Sequence, residues 1–166
     1  MDVVLDKTIK QRRSIRRYTK QMLRENEIYK IIEAAIWAPS GLNNQPWKFK
    51  ILSGNQKNKL AKFTKYVHVI EAAPVAICIF LDNSLTYNRD KDIMSVGACI
   101  QNMLLKAHAM GYGTCWLGEI LNKREGVEGY LKVSSDCELM AVVTLGYSDE
   151  KNKKGSRHKL KSFILN

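Results

Sequence analysis

Apolar residues recur along this chain at two spacings, and each spacing predicts a different element. Ile28, Ile31, Ile32, Ala35 and Ile36 follow the three-to-four-residue rhythm of one helical face, which Pro39 stops. Val4, Leu5, Thr8 and Ile9 share a face in the same way, predicting a helix from a capping Asp2 to about Gln11. "IMSVGACIQNMLLKAHAM", Ile93 to Met110, has helix length and few charges; it predicts a helix buried on most sides, ended by Gly111. In "WKFKIL" large apolar residues alternate with lysine, predicting a half-buried strand from Trp47 to Leu52. "VAICIFL" after Pro74 and "ELMAVVTLG" are continuous apolar runs, the pattern of strands covered on both faces. The short apolar "TCWLG" lies between them. Gln56 to Tyr66 predicts a basic surface helix, and Lys123 to Tyr130 a further helix. Strands interleaved with helices, without repeat or linker, predict a mixed α/β or α+β fold in one domain spanning residues 1–166.

Charge narrows the partners more than the fold. The 166 residues carry a formal net charge of +11, so anionic partners of any size are admissible. The longest apolar run, Ala72 to Leu81, is half of the roughly 20 residues a membrane-spanning helix needs. "MDVVLDKTIK" lacks the basic-then-apolar order of a signal peptide, so a cytoplasmic protein without membrane partners is expected. Cys78, Cys99, Cys115 and Cys137 are widely spaced in apolar or mixed segments and read as buried free thiols.

Three stretches could carry chemistry. "QRRSIRRYTK" sets Arg12, Arg13, Arg16 and Arg17 around Ser14. Guanidinium groups so close repel one another, and a bound anion relieves the crowding; Arg forks match phosphate oxygens and Ser14 adds a hydroxyl donor. "APSGLNNQPW" packs Pro39, Ser40, Gly41, Asn43, Asn44 and Gln45 into one loop, either a self-stabilised polar turn or a surface that reads the edge of a heterocycle. "GYGTCW" imitates a dinucleotide-binding glycine loop, but Trp116 stands where the last glycine belongs and a helix precedes the turn. Gly111 therefore reads as a helix cap and Gly113 as a turn residue. His68, His108 and His158 are too scattered for a metal site, and His108 reads as a satisfied core or boundary residue. Ligand-binding signals without a nucleophile or acid–base pair suggest that a cofactor carries the chemistry.

"RRSIRRY", "APSGLNNQPWKF" and "GACIQNMLLKAHAMGYGTCWLG", in this order, resemble the nitroreductase family of FMN-dependent oxidoreductases, with "VTLGY" and a basic tail as a weaker fourth match. The resemblance implies a sandwich with a central, mostly antiparallel sheet flanked by helices, in an intertwined homodimer with FMN at the interface. It implies that Arg12 and Ser14, helped by Arg157, bind the FMN phosphate. Arg13 and Arg16 match positions from the phosphate to the pyrimidine edge, where a cation would stabilise reduced flavin. Pro39, Ser40, Gly41 and Asn43, with Gln45 in the same loop, match the segment that reaches the flavin from the other subunit. Leu117 and Gly118 match the backbone near flavin N5. Arg17 has no implied task, and "FILN" could wrap the neighbour. The implied reaction is ping-pong hydride transfer from NADH or NADPH to a nitroaromatic, quinone or similar small acceptor. The interval from Gly54 to Pro74 is short for covering the site, and Lys62 and Lys65 within it stay unassigned.

Two other readings stay open beside the enzyme: a flavin carrier or sensor with little turnover, and, less favoured, a basic nucleic-acid-binding module using Tyr18, Tyr66 and Tyr87 beside their cations.

Overall fold

Antiparallel strands β1 (Trp47–Ser53), β2 (Val75–Asp82), β3 (Gly113–Leu117) and β4 (Cys137–Gly146) form one sheet in the order β1-β2-β4-β3. The computed structural model describes residues 2–151 and 154–165, with side chains from residue 4. The Asp2 side chain expected to cap α1, and the final Asn166, lie outside what the structure describes. Helices α1 (Asp2–Gln11), α2 (Glu25–Ala35), α3 (Gly54–Ala61), α4 (Val67–Ala72), α5 (Arg89–Ala109) and α6 (Arg124–Leu131) surround the sheet.

The continuous apolar run of β2 is explained by its central place. Val75, Ile77, Ile79 and Leu81 face one core, with Ile28, Ile31 and Ala35 of α2 and Val96 to Ala107 of α5. Ala76, Cys78 and Phe80 face a second core, with α3, α4 and α6. Alternate side chains of one strand thus fill two layers, and every position from Val75 to Leu81 is apolar. β4 divides likewise, after a register shift between Ile79 and Phe80 brings Ala141 and Leu139 opposite them. Cys78, Cys99 and Cys115 are buried and Cys137 half-buried, all as free thiols.

Several expectations are corrected. Gln56 to Tyr66 is not one basic surface helix: α3 stops at Ala61, a turn follows, and α4 begins at Val67. Lys57 is buried, and its Nζ donates to the Ile70 and Glu71 carbonyls at 2.6 and 2.9 Å. The lysine caps α4, a role that a charge pattern cannot show. α5 starts a turn earlier than its apolar run because the Asn88 side chain accepts from Lys91 N, and buried Asp92 accepts from the backbone of Tyr87 and Asn88. Ile36 lies beyond the end of α2 and is exposed. Gly113 is no turn residue but opens β3, where a Cβ would come within 2.8 Å of the Ile15 side chain.

On α5, Val96, Cys99, Ile100, Met103, Leu104 and Ala107 are buried, whereas Met94 is 67% exposed. Val4, Leu5 and Ile9 of α1 stand in solvent, as do Trp37, Leu42, Phe163, Ile164 and Leu165. Among the described residues no helix is long and apolar enough to cross a membrane.

Candidate active site

The arginine-rich stretch leaves α1 and runs along the outer edge of the sheet. Ser14 bridges Thr114 of β3 in parallel, with Ile15 N donating to Thr114 O at 2.8 Å. Tyr18 bridges Ser148, and Thr19 N donates to Tyr147 O. The Tyr18 phenol is sequestered beneath this edge, donating to Ile15 O at 2.6 Å and lying 2.7 Å from Thr144 Oγ1. Burial pushes its pKa well above that of a free phenol. Glu150 accepts from the backbone N–H groups of Arg16 and Arg17 at 2.7 and 2.9 Å. A segment with four like charges is thus fastened through its backbone.

The edge bounds a cleft of about 260 Å³ lined by Arg12, Arg13, Ser14, His108, Gly111 to Thr114, Ser148, Glu150 and Lys151. Gly111, at φ +86, turns the chain sharply from α5 into β3 and so forms its back wall. Arg13 Nη1 donates to the carbonyls of Lys10 and Arg12 at 2.8 and 2.7 Å, against the negative end of α1. Burial, then the charges of Arg157 and Arg13, lower the Arg12 pKa from its ordinary value. Those residues are therefore neighbours in charge, and an anion among them would reverse the penalty. His108 has a lowered pKa, through burial and then the charges of Arg12 and Arg13.

The structure divides the expected site residues into groups. Arg12, Arg13 and Ser14 meet in the cleft, with the exposed Arg157 close enough for its charge to act on Arg12. Arg16 is further along the edge, its charge acting on the Cys115 thiol of β3. Leu117 is buried at the far end of β3, and exposed Gly118 follows. At the usual rise of about 3.3 Å per residue, Gly118 is about 13 Å from Thr114.

Pro39, Ser40, Gly41, Asn43 and Gln45 are elsewhere. Their loop sits at the start of α5, where Asn44 Nδ2 donates to Asp92 Oδ1 at 2.8 Å and to Leu85 O at 3.0 Å. Ser40 Oγ accepts from Gln45 N, and Gln45 Nε2 donates to Asn43 O. Leu42, Asn43 and Gln45 all have positive φ, and Gly41 is pressed against the Tyr87 ring, where a Cβ would lie 2.2 Å from the hydroxyl. Such a backbone is costly for side-chain-bearing residues and is held by its surroundings. Asp92 and His108 mark opposite ends of α5, about 24 Å apart along its axis.

Sequence reasoning missed several contributors. His108, expected to be a satisfied core or boundary residue, is half-buried, lines the cleft and has no hydrogen-bond or ion-pair partner among the described residues. Glu150 was hidden in a tail read as basic. Glu119, directly after Gly118, accepts from Thr64 Oγ1 and Lys65 N, which holds its pKa below the usual value and brings the turn with Lys62 and Lys65 beside Gly118. Both lysines are exposed. No local signal marks these residues, because their partners are distant in sequence. Arg17, expected to be a solvated charge, is exposed.

The sequence profile of the Nitroreductase family matches residues 9–68 and 64–147. The chain belongs to the nitroreductase family. It is 32% identical over 153 residues to a Methanothermobacter thermautotrophicus protein described as an NADH dehydrogenase/NAD(P)H nitroreductase, covering 90% of this chain and 79% of that one. A crystal structure from Desulfovibrio desulfuricans, described as a nitroreductase in complex with FMN, superposes with a TM-score of 0.94 at 39% identity, over 98% of this chain and 95% of that one. The Vibrio harveyi NADPH:FMN oxidoreductase, solved with NAD+, has a TM-score of 0.88 at 21% identity over 98% and 76% of the two chains, a likeness of fold alone. The nitroreductase fold accordingly accounts for the α+β sandwich and its antiparallel sheet.

Proposed function

We propose that this chain is an FMN-dependent NAD(P)H oxidoreductase, acting as a homodimer on a small electron-poor acceptor such as a nitroaromatic or quinone. The observation that carries this reading is the convergence of Arg12, Arg13 and Ser14 on the start of β3, with Leu117 at the far end of that strand and Gly118, just beyond it, about 13 Å from Thr114. The donor set fits a mononucleotide. Guanidinium groups and a hydroxyl suit a phosphate dianion, Arg16 supplies positive charge partway along, and backbone at Gly118 allows close approach of a planar ring.

FMN, when bound, supplies two-electron transfer from reduced nicotinamide to the acceptor in two half-reactions of ping-pong type. The protein's part is binding, orientation and electrostatics. Arg12 and Ser14 hold the phosphate, with Arg157 closing from the tail. Arg16 offsets negative charge on the pyrimidine side and so favours the reduced state. Glu119 anchors the Lys62–Lys65 turn against Gly118 and limits access to the ring.

The loop carrying Pro39, Ser40, Gly41, Asn43 and Gln45 completes the site from a second copy. Within one chain it sits at the opposite end of α5 from the arginine cleft. The exposed apolar side chains of α1, Trp37, Leu42 and Phe163 to Leu165 support such a partner. Trp37 and Leu42 flank that loop, and Phe163 to Leu165 suit an arm over the neighbour.

Burial of Tyr18 removes one aromatic from the nucleic-acid reading. The deciding experiment is an absorption spectrum after FMN addition and desalting, then anaerobic NADH. Retained flavin that bleaches, and recovers on addition of a quinone, is expected. A chain that retains no flavin at low salt overturns the reading, and flavin that stays oxidised indicates a carrier.

A further inference from the structure

His108 stands at the C-terminal end of α5, lines the same cleft as Arg12, Arg13 and Ser14, and has no partner among the described residues. The imidazole is half-buried and its nitrogens are not sealed from solvent, so they are open to a ligand that enters the cleft. Charged and titratable groups share its cleft. Arg12 and Arg13 come from the exit of α1, Glu150 and Lys151 from the segment after β4, and Tyr112 from the wall beyond Gly111, whereas Lys106 of its own helix points away into another pocket. Arg157 adds its charge through Arg12.

This environment opposes protonation while the cleft holds no anion, since burial and the two arginines both disfavour imidazolium. A phosphate dianion among the same arginines reverses the balance. It cancels their repulsion and presents acceptor oxygens to a ring that, once protonated, donates from both nitrogens. The negative end of the α5 dipole favours a cation at that position as well.

Resting on the FMN reading above, we propose that His108 is a further phosphate ligand of the cofactor site, which takes up a proton as the phosphate binds and so makes cofactor affinity depend on pH. The protonated imidazole donates to a phosphate oxygen beside the Arg12 and Ser14 donors. Riboflavin, which shares the ring and lacks the phosphate, does not call on it.

The test measures FMN dissociation constants by flavin fluorescence for the wild-type protein and His108→Gln between about pH 6.5 and pH 8.5, the window in which a histidine titrates and the phosphate is mostly dianionic. Wild-type affinity is expected to fall several-fold with rising pH, within the roughly tenfold per pH unit that one proton permits. His108→Gln is expected to be nearly flat, as is riboflavin with either protein. NMR titration of the wild-type His108 ring, assigned by its absence from the variant, is expected to show a higher pKa with FMN than without. Equal pH dependence in both proteins, or a His108 titration unmoved by bound FMN, overturns the inference. If FMN fails to bind, the same NMR titration with inorganic phosphate separates the two claims. A phosphate-induced rise leaves His108 as an anion ligand and removes the FMN reading; no rise overturns both.

Discussion

The Tyr18 hydroxyl lies 2.7 Å from that of Thr144 and donates to the Ile15 carbonyl at 2.6 Å, so one buried phenol pins the arginine segment to the central sheet. Tyr18→Phe removes both bonds and leaves Ile15 O short of a donor. Unfolding free energy is expected to fall by about 1–3 kcal/mol in urea melts. FMN affinity is expected to fall with it, because Ser14 and Arg16 flank the loosened Ile15.

The phosphate assignment predicts that Arg12→Ala combined with Ser14→Ala weakens FMN on the order of a hundredfold, from two charge-assisted bonds of about 1.5 kcal/mol each. Riboflavin affinity is expected to be unchanged. Isothermal titration of both ligands separates loss of the phosphate contacts from loss of the site as a whole.

Gly146 carries no side chain because a Cβ there would lie 2.5 Å from the Pro74 ring and 2.8 Å from that of Tyr18. Gly146→Ala must displace the proline or the phenol. A stability loss of about 1–3 kcal/mol is expected from this overpacking, together with a looser cleft edge. A thermal melt that matches wild type would show that the ring stack yields freely.

Glu27 is held at a pKa of about 2 by hydrogen bonds from Arg24 and then Tyr112, against an ordinary value near 4.5. A depressed carboxylate contributes stability that is complete above its unfolded pKa and is lost as pH falls through the folded one. Between about pH 4.5 and pH 2 the wild-type protein is therefore expected to lose stability more steeply than Glu27→Gln. Parallel urea midpoints for the two proteins across that window would refute it.

Asn44 ties the glycine-containing loop to α5 through Asp92. Asn44→Ala removes a donor from a fully buried carboxylate, and a loss of about 1–3 kcal/mol is expected in thermal or urea melts. On the dimer reading FMN affinity also drops, although the substitution is remote from Arg12 within the chain. Unchanged FMN affinity in a folded variant would place the loop outside the cofactor site.

The amino-acid pattern by itself determined the elements and the chemistry of the anion donors. Strands β1, β2 and β4 were legible, because a strand buried on both faces must be apolar at consecutive positions, as in "VAICIFL", and β1 alternates around its lysines. The clustering of Arg12, Arg13 and Ser14 is local, so neighbouring residues could announce a phosphate site. Tertiary structure alone decided what depends on distant partners: Lys57 buried over the end of α4, Glu150 beneath Arg16 and Arg17, Glu119 on Thr64, and His108 turned into the arginine cleft. It also separated the two candidate binding stretches to opposite ends of α5. Hydrophobic periodicity records which face of an element is buried, whereas charge and hydrogen-bond partnerships across many residues follow from how the layers pack.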